Sequence, residues 1–168
     1  MKAAILHAPN DMRLQSVPDP VLQPGDMLLR MKAATICGTD IRIFRGRKTR
    51  GVRYPSILGH EFVGEIIDTG EHVGWSEGDL VCVCPAIACG QCGPCRGGVA
   101  NLCAKLIAYG YELDGGFAEL IRVPRQAVTA GNVVRLPADL EPEIAALAEP
   151  LACVINGQDL VTVGPADT

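Results

Sequence analysis

The sequence predicts a mostly β fold with short helices, a small and partly open β-barrel, and three observations carry that expectation. Short runs in which apolar and polar residues alternate are closed repeatedly by turn signals. Gly 19 and Pro 12 in 168 residues supply those turns. One segment, about 85–107, has almost no hydrophobic periodicity yet concentrates cysteines, so it reads as a lobe held by something other than a core. The length suits one well-buried domain, in which roughly 70% of the unfolded surface is removed from water.

Taken in order, residues 2–7 and 12–17 read as two strands joined by the turn Pro9-Asn10-Asp11. Val17-Pro18-Asp19-Pro20 and Pro24-Gly25-Asp26 form a stiff connection. Leu29, Met31 and Ala33 then alternate with Arg30 and Lys32, the pattern of a half-buried strand that delivers Cys37 at its end. Thr39 or Asp40 is the expected cap of a short helix through Phe44. A polar loop leads to Gly59-His60-Glu61, where a Phe/Val/Ile strand begins, and Gly78-Asp79 turns into the β-rich run Leu80–Cys84. Phe117–Val123 and Val133–Leu136 read as further strands. Pro142 suits a first helical position, with Ile144, Leu147, Ala148 and Leu151 following at helical spacing. Pro150 is expected to break that helix, leave Glu149 extended and restart a helix that Gly157 ends.

Composition excludes several classes. Hydrophobic residues at 48% and charged residues at 20% are those of a globular protein, and the net charge of −4 shows no broad basic face for nucleic acid or anionic membrane. Only Arg45-Gly46-Arg47-Lys48-Thr49-Arg50 leans the other way, and it reads as a solvated loop close to the candidate pocket. Met1-Lys2 leads into a strand rather than a secretion signal, and no apolar run reads as a membrane span. Eight cysteines without a secretion signal point to metal binding in a cytoplasmic protein.

The strongest local motif is Cys89-Gly90-Gln91-Cys92-Gly93-Pro94-Cys95 with Cys103 beyond it. Four thiolates can close a tetrahedral shell around zinc and leave no position for water, which makes such a site structural; iron or disulfides are the competing reading. Cys82, Cys84 and Cys153 lack such spacing and read as small buried residues, while His7 and His72 read as surface residues and Trp75 as packing. His60 and Glu61 form a second candidate, mounted where a loop enters a strand, with Cys37 before them and Glu149 after.

Gly59-His60-Glu61, with Gly64, Gly70 and Val73, resembles the signature of the zinc-containing medium-chain alcohol dehydrogenases, a group that includes sorbitol and threonine dehydrogenases. The resemblance runs from Met1 to about Leu160 and implies a GroES-like catalytic domain, 1–160, with residues 161–168 starting a linker. It also implies a catalytic zinc held by Cys37, His60 and Glu149. Glu61 is then a carboxylate that can bind or release the metal, Thr39 the hydroxyl that takes the alcohol proton, and Asp40 the support for His60. Cys89, Cys92, Cys95 and Cys103 match the family's structural-zinc lobe, making two zinc ions per chain. Glu149-Pro150-Leu151 resembles the polyol dehydrogenases, which tilts the expected substrate toward a polyol or other secondary alcohol. Threonine or a similar amino alcohol is the alternative, against which stands Ala86 where several threonine dehydrogenases have histidine.

The family's hydride acceptor, NAD or NADP, needs a dinucleotide fold, and the chain has no Gly-x-Gly-x-x-Gly. The expectation is therefore the catalytic domain of a longer, homo-oligomeric enzyme (dimer or tetramer) acting on a small-molecule alcohol. Without its cofactor domain the chain should be inactive, and the apolar face of the 142–155 helices should be exposed. A non-catalytic, zinc-stabilised scaffold is the competing reading.

Overall fold

Strands β1 (Lys2–Ala8) and β2 (Asp11–Ser16) form the expected antiparallel hairpin, turning at Asn10, whose φ of 63° is a conformation asparagine tolerates. A computed structural model describes residues 1–161, so the expected linker lies, except for Val161, outside the described residues. β1 pairs on its other edge with β4 (Ser56–Ile57). Five further strands form a second sheet in the order β10-β6-β5-β3-β9. They are β3 (Met27–Thr35), β5 (Glu61–Asp68), β6 (Leu80–Val83), β9 (Leu120–Val123) and β10 (Val133–Arg135).

The two sheets are stitched where the sequence suggested a longer strand. Residues 117–119 precede β9 and are not continuous strand, yet Ala4 N–H donates to Phe117 O (2.8 Å), Glu119 N–H to Lys2 O (3.0 Å) and Met31 N–H to Glu119 O (2.9 Å). Ala3 and Ala118 form an isolated bridge. The chain thus passes from one sheet to the other at 117–119, and β2 and β10 remain as the outer edges of a partly open barrel.

The alternation in β3 does what its pattern predicts. Met27 and Leu29 are fully buried and join Phe62, Ile66, Val81 and Val123 in the main core, while Arg30 and Lys32 point outward. The β3–β5 register shifts between Met31 and Ala33, opposite Gly64, where a Cβ would sit 2.9 Å from that of Leu29. Close approach at that bulge therefore requires glycine.

Helix α1 (Gly38–Phe44) is too short to be stable by itself and is fixed by its ends and one anchor. Ile43 is buried with Leu6 of β1 and Leu58, a contact that contributes on the order of 1.5–3 kcal/mol by area. Its N-cap is Cys37, two or three residues before the expected cap, and Asp40 occupies the third helical position of a capping box.

The lobe leaves the barrel through a two-stranded stem, β7 (Ala86–Ile87) against β8 (Ile107–Ala108). Between them lie α2 (Gly93–Arg96) and a 3-10 turn, Ala100–Leu102, neither with a buried residue. Cys103 is the one residue between 88 and 106 that is buried. The apolar anchors sit at the stem: Ile87, and Tyr109, which packs edge-on to Phe62 at 5.2 Å and donates its hydroxyl to Arg122 O.

After the short helix α3 (Arg125–Thr129), helices α4 (Pro142–Ala145) and α5 (Ala148–Val161) close the described chain. Ala145 and Ala146 pack on Val63 of β5. The break between the helices falls at Ala146–Leu147, so Glu149 is helical rather than extended. Pro150 lies in the first turn of α5, where its missing N–H is not needed, and Gly157 does not end the helix. None of the residues of α5 is buried; Leu151, Val154, Ile155 and Leu160 are exposed, as the sequence implied for this face. Pro142–Val161 also meets the length and composition of a membrane span, with mean hydropathy 1.2, where no such run was expected.

Candidate metal centres

Cys89, Cys92, Cys95 and Cys103 converge, with all four sulfurs within 4.8 Å of one another. Cys92 and Cys95 Sγ are 3.3 Å apart and Cys89 and Cys95 Sγ 3.9 Å, around the roughly 3.8 Å that separates sulfurs bound at about 2.3 Å to one tetrahedral ion. All eight cysteines are free thiols, so no disulfide competes. Backbone N–H groups of Gln91 and Cys92 lower the Cys89 thiol to about 6. The neighbouring Cys92 pushes Cys95 up to about 12, with burial adding to it. Without a cation, one thiolate is favoured and its neighbour stays protonated. A divalent cation removes that conflict, so the donor set fits zinc.

The second centre is assembled from three elements. Cys37 at the α1 N-cap, His60 in the loop before β5 and Glu61 at the start of β5 bring their ligand atoms within 4.8 Å of one another. Asp40, buried to 3% exposure, holds them in place. Its Oδ2 accepts from Cys37 N–H (2.9 Å) and its Oδ1 from Gly59 N–H (3.4 Å), so one carboxylate ties the helix cap to the histidine loop. The same Oδ1 lies 3.6 Å from His60 Nδ1, a charge contact longer than a hydrogen bond, and that buried Nδ1 has no hydrogen-bond partner. Asp40 raises His60 to about 9 against the opposing effect of burial, with Cys37 contributing less. Gly59 adopts φ 95°, and Gly115 crosses so close that a Cβ there would be 2.1 Å from Gly59 O. The backbone before His60 is thereby confined on two sides.

Sulfur, imidazole nitrogen and carboxylate oxygen in one partly buried cluster is a zinc-type donor set, and the orphaned Nδ1 leaves the ring oriented by charge alone. Glu149 is not among the gathered ligands; its Oε1 lies 3.7 Å from Cys153 Sγ, one helical turn on. Thr39 stands two residues after Cys37 on α1, and Arg42 Nη2 donates to its Oγ1 at 3.4 Å.

Two participants escaped the sequence. Thr35 Oγ1 donates to Glu61 Oε2, and the two are register partners across β3 and β5. Only that pairing reveals it. Arg42 was visible one turn beyond Thr39, yet its contact depends on the helical lean of its side chain toward the N-terminus. Cys84 and Cys153 are exposed rather than buried, because β6 ends before the former and no described residue covers α5 around the latter. Cys82 is half-buried rather than fully buried, its thiol raised by that partial burial. His7 bonds Gln15 Oε1 (2.6 Å), and half-buried His72 bonds Gly25 O (2.7 Å) and so latches a loop. Trp75 packs on the main core beneath the Arg135 guanidinium.

A partly open β-barrel with a four-cysteine lobe and a separate Cys/His/Glu cluster defines a metal-binding domain of the dehydrogenase type. The chain belongs to the alcohol dehydrogenase GroES-like domain family, whose sequence profile matches residues 23–137. It is 40% identical over 152 residues to a D-altritol 5-dehydrogenase of Agrobacterium fabrum, covering 90% of this chain and 43% of that protein. It is 36% identical to an L-threonine 3-dehydrogenase of Chelativorans sp., covering 98% of this chain and 50% of that one. An alcohol dehydrogenase of Escherichia coli CFT073, solved with NADH, superposes with a TM-score of 0.87 at 32% identity, over all of this chain and 48% of its own. The chain thus spans about half the length of these relatives.

Proposed function

We propose that this chain is the catalytic portion of a zinc-dependent, NAD(P)-linked dehydrogenase that oxidises a polyol or another secondary alcohol. The observation that carries the reading is the Cys37/His60/Glu61 cluster, tied by Asp40 to the helix that also presents Thr39. A scaffold would need only the lobe cysteines. The polyol dehydrogenase among the relatives favours the substrate class; threonine remains a probe to run beside it.

Two zinc ions are proposed, one in the four-cysteine lobe and one held by Cys37, His60 and Glu61. With Nδ1 facing Asp40, Nε2 of His60 is the ring nitrogen available to ligate. Glu149 is proposed as a further ligand, on the match of Glu149-Pro150-Leu151 to the polyol dehydrogenases and because α5, which carries it, lies against β5, the strand that begins at Glu61. Zinc in the cluster supplies Lewis-acid lowering of an alcohol's pKa, and NAD(P) supplies the hydride acceptor. The chain's own residues do the rest. Asp40 keeps the helix cap and the histidine loop in register. Thr39, accepting from Arg42, retains a lone pair for the alcohol proton and its own hydrogen to pass outward. The exposed face of α5 is proposed to meet the remainder of a longer chain.

Elemental analysis of the purified chain tests the reading directly. Two zinc ions per chain, falling to one in His60→Ala, are expected, and in the full-length enzyme Thr39→Ala should keep both ions while slowing turnover about 10²-fold or more. A single zinc unaffected by His60→Ala would remove the barrel centre and with it the proposed chemistry.

A further inference from the structure

Most of the basic residues between Asp40 and Glu61 are not paid out in ion pairs. Between Asp40 and Glu61 the sequence holds no acidic residue but six basic ones: Arg42, Arg45, Arg47, Lys48, Arg50 and Arg53, of 15 in a chain whose net charge is −4. Of the nine cations elsewhere, four are matched: Arg13, Lys32, Arg122 and Arg135 each meet a carboxylate at 2.6–3.0 Å. Arg53 pairs with Asp114 at 2.8 Å. Among the described residues no carboxylate is in ion-pair contact with Arg42, Arg45, Arg47, Lys48 or Arg50. Concentrating like charge this way is unfavourable for folding unless something else offsets it.

The loop does not trail into solvent. Gly46 turns with φ 68°, and Arg47 and Lys48 N–H both donate to Arg42 O, at 2.8 and 3.3 Å, so the chain folds back over the end of α1. Lys48 is fixed 4.9 Å over the Tyr111 ring. Arg42 leans toward the helix start and reaches Thr39 Oγ1, which stands two residues from Cys37. The cationic surface therefore begins at the hydroxyl beside the metal cluster and continues along one helix end. An alcohol whose hydroxyl meets Thr39 would thus have Arg42 beside it, with the 45–50 loop folded over the end of the same helix.

We infer that the alcohol oxidised here carries an anionic terminus, a carboxylate or a phosphate monoester, received by Arg42 and the 45–50 loop. Guanidinium forks match both anions, and a cationic rim also raises the local concentration of an anionic substrate. The inference rests on the dehydrogenase reading above.

The test uses the full-length, zinc-loaded enzyme with NAD(P) and three matched probe sets: C5 and C6 polyols, their aldonates, and their terminal phosphate monoesters. The expected result is a kcat/KM at least tenfold higher for one anionic set than for the neutral polyols, and the two anionic arms tell carboxylate from phosphate. Arg42→Gln, and separately Arg45→Gln with Arg47→Gln, should reduce that anionic-to-neutral ratio tenfold or more, mainly through KM. Arg42→Lys should retain more of it than Arg42→Gln. Neutral polyols used as well as or better than both anionic sets, or a ratio unmoved by either glutamine variant, would overturn the inference and leave the dehydrogenase reading intact. No oxidation of any probe would overturn both.

Discussion

In the lobe, all four candidate ligands fall between residues 89 and 103 on a segment with no apolar core of its own, whereas the candidate barrel centre draws Cys37, His60 and Glu61 from a helix cap, a loop and a strand. In the first region the ion would organise the chain; in the second the chain organises the site before any ion arrives. The difference separates two roles for one kind of donor. Thiolates spaced along a flexible loop gain fold from metal, while ligands mounted on packed elements gain a defined geometry that can be used for chemistry.

The largest effect that would sharpen this contrast is in the lobe. Cys103→Ser should abolish lobe zinc and strip hydrogen-exchange protection from residues 88–106, while β3, β5 and β6 stay protected; protection retained in the lobe would mean that packing, not metal, holds it. An intermediate effect is expected in the barrel. Asp40→Asn keeps the side chain's shape but removes the charge that faces His60 and weakens the hydrogen bonds to Cys37 and Gly59, at a cost of about 1.5–3 kcal/mol in denaturant unfolding. Zinc affinity should fall at the barrel centre and not in the lobe, and equal loss at both would break the proposed independence. The smallest effect belongs to Thr35→Val, which leaves Glu61 without its hydroxyl donor. About 1 kcal/mol of stability should be lost, with both ions retained by elemental analysis.

Legibility in the sequence followed the same division. The lobe could be read as a spacing because its ligands need only a short, turn-rich loop. The β3 alternation and the Pro142 helix start were equally local, and both are present. What escaped depended on partners distant in the chain. Thr35 meets Glu61 only through the β3–β5 register, and the stitch at 117–119 depends on β1. Asp40 was visible as support for His60, but its hydrogen bonds to Cys37 and Gly59 emerge only once α1 packs against Leu6 and Leu58. Glu149 shows the opposite error. The bias that Pro150 places on its neighbour was read as decisive, and the helix nevertheless begins before it, because a first-turn proline sacrifices no hydrogen bond.

The β7–β8 stem has a topological consequence. Ala86 and Ala108 are register partners, so the chain enters and leaves the lobe at a single point, and the residues that anchor into the barrel, Ile87 and Tyr109, stand at the stem rather than inside it. Everything from Ala88 to Leu106 is in effect an insertion in a hairpin. A two-residue turn joining Ile87 to Ile107 would close the same ladder, which makes the lobe a removable module whose gain or loss in a lineage need not disturb the barrel beneath it.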